Sequence, residues 1–393
     1  MKLQELKNGV QEYLYMEDTG VVDLLMASVL ASRIVRGTPV WVVVIGASSS
    51  GKSQLLRPIA LADDKFVHRI DDLTENSFIS GSNTKKGEKK ISILNHIGTR
   101  GVLLISDLTV LFSRNTESRD AILGQLRMIH DGRFVRHFGN QTPISWEGTL
   151  GLIAGCTPSL YRYVERISDL GERFVYYRMK NVDPRMATTK ALSHMIPGKE
   201  LDLLIASLYD TYQKTVIKSL GDTVVPPLSE RTRARLMESA VVGTKLRTPV
   251  FLDQKTYFVL RIPSPESPPR VAKELQSIAL GFSAMQYHET KQWELSEDQL
   301  LYLDWCAYSL ANEERRAVLN VMRSGGEWST QRVADNIGLS TEITKSFLQQ
   351  LTAIDVCERA GEGNKLMWKI KDQSIVKFLT KFHNINDLDV KLF

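Results

Sequence analysis

Gly46-Ala47-Ser48-Ser49-Ser50-Gly51-Lys52-Ser53 carries the spacing G-x-x-x-x-G-K-[ST]. Each fixed position answers a requirement of polyphosphate binding. Gly46 and Gly51 let the backbone turn its N–H groups inward, with those of Ser49 and Ser50 between them. Lys52 brings a cation to the β- and γ-phosphates, and the Ser53 hydroxyl is placed to ligate a divalent ion. The cofactors implied are ATP and Mg²⁺.

Cleaving a phosphoanhydride also needs a carboxylate, either to hold Mg²⁺ through water or to activate the attacking water. Gly101-Val102-Leu103-Leu104-Ile105-Ser106-Asp107 ends an apolar run on one. Most ATPases of this kind end such a strand in Asp-Glu, and here the pair is Ser106-Asp107. Aligned on the apolar run, Asp107 takes the place of the water-activating acid and Ser106 that of the metal-side acid. Shifted by one, Asp107 becomes the metal partner and Leu108 takes the base position. A third reading makes Asp107 a helix N-cap with no catalytic part.

The elements that must hold these groups are legible around them. Trp41–Ile45 is a β-branched run without polar alternation, the pattern of a strand buried on both faces of a parallel sheet. Similar runs follow at Phe66–Ile70, Val102–Ile105, Leu150–Ala154 and Phe174–Tyr177, and helical stretches separate most of them. The expected fold class is therefore α/β: a doubly wound, five-stranded parallel phosphate-loop core. The expected organisation is a helical lead-in over 1–40, the nucleotide-binding core over 41–185, a helical lid over 186–310, a winged helix over 311–372 and a tail over 373–393. Within the lid, Leu201–Ser219, Ser229–Lys245 and Arg270–Met285 read as helices, and Val250–Ile262 as a short hairpin.

Composition narrows the classes. With 43% hydrophobic and 24% charged residues the chain is ordinary globular material. Three cysteines, Cys156, Cys306 and Cys357, lie far apart with no C-x-x-C pair, which points away from disulfide frameworks and zinc sites and toward a reducing cytoplasm. The most apolar stretch, Val21–Val35, contains Asp23, Ser28, Ser32 and Arg33, so a buried helix is expected there and no membrane span. A net charge of +5 permits contact with nucleic acid without demanding it.

Taken together, the chain resembles the AAA+ ATPases, above all the branch of MCM-type helicases and MoxR-like ATPases. It also resembles a widespread group of AAA-family ATP-binding proteins of bacterial genomes and mobile elements. The likeness is carried by VWVVVIGASSSGKSQLL, RDAILGQLRMIHDGRFVRHFG, WEGTLGLIAGCTP and LGERFVYYRM and covers most of residues 20–370. The resemblance implies further roles. Thr157, after Leu152–Gly155 and Cys156, would sense the γ-phosphate, where MCM proteins favour Asn. Arg173 in Gly171-Glu172-Arg173-Phe174 would be the finger that reaches a neighbouring subunit's nucleotide, its guanidinium stabilising charge on the γ-phosphoryl oxygens. Arg270, opening a helix after Ser267-Pro268-Pro269, would contact the γ-phosphate from the same subunit.

Two regions are candidates for DNA. Arg133–Trp146 reads as a hairpin turning at Gly139-Asn140. In the MCM-like branch such a hairpin enters a central pore, which would place Arg136 and His137 near DNA. Lys85 and Lys86, in Lys85-Lys86-Gly87-Glu88-Lys89-Lys90, form a second pore candidate, or simply a solvated loop. Residues 311–371 read as a winged helix: a helix over Glu313–Arg323, a second one capped by Ser329, a turn at Gly338-Leu339-Ser340, a recognition helix at Thr341–Ala353, and a wing between Val356–Arg359 and Lys365–Ile370. Thr341, Lys345, Arg359 and Lys365 are its candidate DNA contacts. A recognition helix with one lysine offset by Glu342 can equally hold a protein. The expectation is an ATPase acting on DNA as a homo-oligomeric ring, hexamer or heptamer, with replication partner proteins. It would be a replicative helicase or translocase of a phage or mobile element. The alternatives are an ATP-switched loader, initiator or regulator with little hydrolysis, and a MoxR-like protein remodeller.

Overall fold

The computed structural model describes residues 1–78, 93–138, 141–163, 173–194, 196–253, 259–262, 267–360 and 366–382. In chain order the first strands are β1 (Trp41–Ile45), β2 (Val67–Ile70), β3 (Arg100–Ile105), the pair β4 (Arg133–Phe138) and β5 (Gln141–Glu147), β6 (Thr149–Cys156) and β7 (Val175–Arg178). Five of them form one parallel sheet in the order β2-β3-β6-β1-β7. Every residue of β1 and β7 is buried, as is all of β3 and β6 beyond the first residue. That is why these segments show no polar alternation, whereas edge strand β2 mixes buried and exposed positions. All five strands expected from the sequence are present.

By backbone contact the chain forms two units. The first comprises residues 1–160, 182–229 and 276–296. Its helices include α1 (Leu3–Tyr13), α2 (Gly20–Ile34), α3 (Lys52–Ala62), α4 (Ile93–Ile97), α5 (Thr109–Phe112), α6 (Thr116–His130), α7 (Pro184–Ser193) and α8 (Gly198–Leu220). Helix α2 is buried over Gly20–Ser32, as its nearly all-apolar sequence requires. Its polar groups are satisfied locally: Ser28 and Ser32 donate to the carbonyls of Leu24 and Ser28, and Asp23 meets Lys7 at 3.0 Å. Strand β6 lets α2 and α3 approach closely on one face because Gly151 and Gly155, four residues apart, place no side chain there. A Cβ at Gly151 would lie 2.6 Å from Ser32 Oγ, and one at Gly155 2.9 Å from Leu56 Cδ1.

The second unit comprises residues 161–181, 230–275 and 297–393. It contains α9 (Glu230–Arg247) and the small hairpin β8 (Phe251–Leu252) and β9 (Val259–Arg261), and α10 (Pro269–Thr290) begins in it. Then come α11 (Glu297–Tyr308), α12 (Glu313–Met322), strand β10 (Trp328–Ser329), α13 (Thr330–Ile337), α14 (Thr341–Ala353), strands β11 (Cys357–Ala360) and β12 (Met367–Ile370), and α15 (Gln373–Thr380). The C-terminal strands pair antiparallel in the order β10-β12-β11. Helices α13 and α14 start where their caps dictate: Ser329 Oγ accepts from the Arg332 N–H and Ser340 Oγ from the Ile343 N–H. Gly338, at φ 75°, ends α13.

Candidate functional site

The site is built at the carboxyl ends of three adjacent strands. Parallel pairing sets Ile45 of β1 beside Cys156 of β6, and Ile105 of β3 beside Ala154 of β6. The phosphate loop therefore follows β1, Asp107 follows β3, and Thr157 follows the strand between them. The carboxyl end of an open parallel sheet is where such folds bind ligands.

The loop has the shape its sequence demands. The Gly46 N–H is anchored to the Cys156 carbonyl at 3.1 Å. Ser49 and Gly51 have φ of 62° and 82°, the left-handed region, and Gly51 is the residue on which α3 begins. For Gly51 this costs nothing special, whereas at Ser49 it stores about 1–3 kcal/mol, a feature that gathers at ligand clamps. The Lys52 ammonium lies over the loop, donating to the carbonyls of Gly46 and Ala47 at 2.6 Å each and to Ser50 Oγ at 3.2 Å. Burial lowers its pKa, while the Asp107 carboxylate opposes that shift from across the site. Cation, cradle and carboxylate thus share one electrostatic environment.

Asp107 is exposed, and its Oδ1 accepts the Thr109 N–H at 2.9 Å. The bond closes a turn ahead of the short α5, whose N-cap is Leu108 with no side-chain cap, so Asp107 is not that helix's N-cap and its second oxygen is left for chemistry. The Ser106 hydroxyl beside it is buried and has no hydrogen-bond partner among the described residues. A buried hydroxyl without a partner is costly, and a metal-bound water would satisfy it. Among the described residues no cluster of three or more His, Cys, Asp or Glu side chains could hold a metal. Mg²⁺ in nucleotide sites takes one or two protein ligands and completes its octahedron with phosphate oxygens and water. Ser53, Asp107 and, through water, Ser106 are the residues that would hold it. Asp107→Asn is expected to retain nucleotide affinity and to cut steady-state hydrolysis by at least about 100-fold, since an amide neither accepts the proton nor holds the metal well. Turnover within about threefold of wild type would assign the chemistry to another acid.

Thr157 stands half-buried in a chain of hydroxyls. Its Oγ1 lies 2.6 Å from Ser159 Oγ and 3.3 Å from Thr109 Oγ1, and its N–H donates to Thr109 Oγ1 at 3.2 Å. Burial pushes the neighbouring Cys156 thiol up to about 11, so it stays protonated and inert. Neither Thr109 nor Ser159 stood out in the sequence, because isolated hydroxyl residues at loop starts carry no pattern.

Beside the loop opens a cavity of about 500 Å³, within the range of small-molecule sites. Ser49–Leu55 form one wall, Tyr13–Met16 a second, and Lys190 and His194, on and just beyond α7, a third. Tyr13 and His194 approach with ring centroids 6.0 Å apart, and His194 Nε2 lies 2.9 Å from the Glu12 carbonyl. These lining residues also escaped sequence reading, since more than 170 positions separate Tyr13 from His194.

The other expected residues fall elsewhere. Arg136 donates to the Glu75 carbonyl at 2.7 Å and to Asn76 Oδ1 at 3.0 Å, so its guanidinium ties the β4–β5 hairpin to the loop after β2. His137 is exposed, where the pairing shifts register between Arg136 and Phe138. Arg173, half-buried just before β7, and Arg270, in the first turn of α10, belong to the second unit. So do Thr341 and exposed Lys345 on α14, and Arg359 on β11, whose guanidinium sits 5.5 Å over the Trp368 ring. Lys85, Lys86 and Lys365 lie outside the described residues. The three cysteines are buried and not disulfide-bonded, and among the described residues no helix is long and apolar enough to cross a membrane. No family model matches the chain, and a search of curated proteins found no match either.

Proposed function

We propose that this chain is a Mg²⁺-dependent ATPase of the AAA+ type that assembles as a homo-oligomeric ring and acts on DNA as a helicase or translocase. The observation that carries the reading is the convergence at three neighbouring strand ends: the phosphate loop after β1, Thr157 after β6 and Asp107 after β3, with a cavity of nucleoside dimensions beside the loop. A cradle, a cation, an acid and a hydroxyl aimed at one place are what phosphoryl transfer requires. In this reading Arg173 acts on the nucleotide of a neighbouring subunit, and Arg270 on that of its own. The β4–β5 hairpin would meet DNA through Arg136 and His137. Helices α12 to α14 with the β10-β12-β11 sheet support the winged-helix assignment.

A second reading, an ATP-switched loader or regulator that does not translocate, draws support from charge. Residues 311–372 hold nine basic and nine acidic side chains, so the segment has no net charge to release counterions from DNA. Arg315 and Arg316 are buried, and Lys369 and Lys371 pair with Glu358 and Asp355. Measuring hydrolysis with and without single-stranded and duplex DNA separates the two. The first reading expects DNA to raise turnover several-fold and a forked duplex to be unwound. ATP-dependent retention of DNA with feeble turnover selects the second. Indifference to DNA in both assays removes both.

A further inference from the structure

Thr157 is a single hydroxyl with one proton to donate and two lone pairs to fill. If it is to recognise a phosphoryl oxygen, that proton must be kept for the ligand, and something must hold the oxygen from behind. The structure supplies two such neighbours. Ser159 Oγ sits 2.6 Å from Thr157 Oγ1, close enough for a strong hydroxyl–hydroxyl bond, and Thr109 Oγ1 sits 3.3 Å away.

One direction follows from the acceptors on offer. Thr109 Oγ1 already accepts the Thr157 N–H at 3.2 Å. Its own proton has two acceptors within reach, Thr157 Oγ1 and, at 3.5 Å, Cys156 Sγ. The protonated sulfur is much the weaker acceptor, so the proton goes to Thr157. A phosphoryl oxygen facing Thr157 can only accept, so with it bound Ser159 donates, both lone pairs of Thr157 are filled and its proton goes to the ligand. Thr109 does a second thing at the same time: its backbone N–H holds Asp107 Oδ1 at 2.9 Å. One residue thereby fixes the acid after β3 with its main chain and the hydroxyl after β6 with its side chain.

We propose that Thr109 and Ser159 are positioning residues that present Thr157 as a hydrogen-bond donor to the terminal phosphate, with Thr109 also coupling Thr157 to Asp107. The inference rests on the ATP-binding reading above. It makes discrimination between nucleoside triphosphate and diphosphate the property these two residues control, because only the triphosphate offers an oxygen to that proton.

The test compares binding of ADP and of a non-hydrolysable β,γ-imido ATP analogue by calorimetry, with Mg²⁺ present. Thr109→Val removes the hydroxyl at nearly constant shape and keeps the backbone N–H, Ser159→Ala removes the other donor, and Thr109→Ser keeps a hydroxyl in place. A hydrogen bond to a charged acceptor is worth at least about tenfold in affinity. Thr109→Val and Ser159→Ala are each expected to weaken the analogue about tenfold and to leave ADP within about twofold, and Thr109→Ser to restore wild-type discrimination. Parallel loss of both nucleotides, or no loss of either, overturns the proposal, as does a Thr109→Ser variant that behaves like Thr109→Val. Should Thr109→Val fail to fold, Ser159→Ala decides by the same criterion. Wild-type protein that binds neither nucleotide would instead sink the phosphate-loop reading, and this inference with it.

Discussion

Arg173→Ala should bind ATP nearly as well as wild type and hydrolyse it about 10³–10⁵-fold more slowly, the range arginine fingers contribute in other phosphate-loop enzymes. The reasoning is electrostatic. Negative charge grows on the γ-phosphoryl oxygens as the bond to the leaving group stretches, and a guanidinium held there by a protein frame stabilises it without reorganising. Arg173 is suited to such a frame: it is half-buried and leads directly into β7, whose four residues are all buried. A finger acting between subunits has a signature that no residue acting within its own chain shares. Mixing Arg173→Ala with Lys52→Ala, each inactive alone, creates interfaces with an intact Lys52 on one chain and an intact Arg173 on the next. Activity should return in proportion to the fraction of such interfaces. A mixture that stays inactive while subunits demonstrably exchange means that Arg173 acts within its own chain or is structural, or that turnover needs several intact interfaces at once. Sedimentation showing only monomers with ATP and DNA removes the ring itself.

Lys52→Ala is expected to lower ATP affinity by about 10²–10⁴-fold in calorimetry while the protein stays folded. The ammonium makes three hydrogen bonds within the loop, two of them to main-chain carbonyls at 2.6 Å. Phosphate oxygens that take their place replace neutral acceptors with charged ones. Two charge-assisted bonds of about 1.5–3 kcal/mol each then vanish with the side chain. Lys52 is also the cation that the Asp107 carboxylate faces from the end of β3, so its loss leaves the triphosphate opposite an uncompensated acid. The backbone of the loop does not depend on the lysine: Gly46 is tied to Cys156 and Ser50 to Ala47 through main-chain bonds. An unchanged melting temperature with unchanged ATP affinity would remove the phosphate-loop assignment.

What the amino-acid sequence determined by itself is local. The phosphate loop is eight consecutive residues whose conformation follows from Gly51, from the strand before it and from the helix after it, and it forms as read. Four of the five strands were legible because burial on both faces leaves an unbroken apolar run, edge strand β2 by its Phe66, Val67 and Ile70, and the cap at Ser329 because an N-cap hydroxyl answers an N–H three residues on. Tertiary structure alone decided everything that depends on which strand lies beside which. Parallel strands are joined by crossovers, and no local pattern records that β6 enters between β1 and β3. That insertion puts Thr157 between the loop and Asp107 and brings Thr109, at the start of α5, against Thr157 and Cys156. It was likewise the packed chain that joined Tyr13 to His194 around the cavity and turned Arg136 back onto Glu75 and Asn76. Spacing along the chain specifies a contact only over the few residues that one turn or one strand spans. Beyond that reach, position is set by how buried faces pack, and the side chains that meet there carry no mark of it in their order.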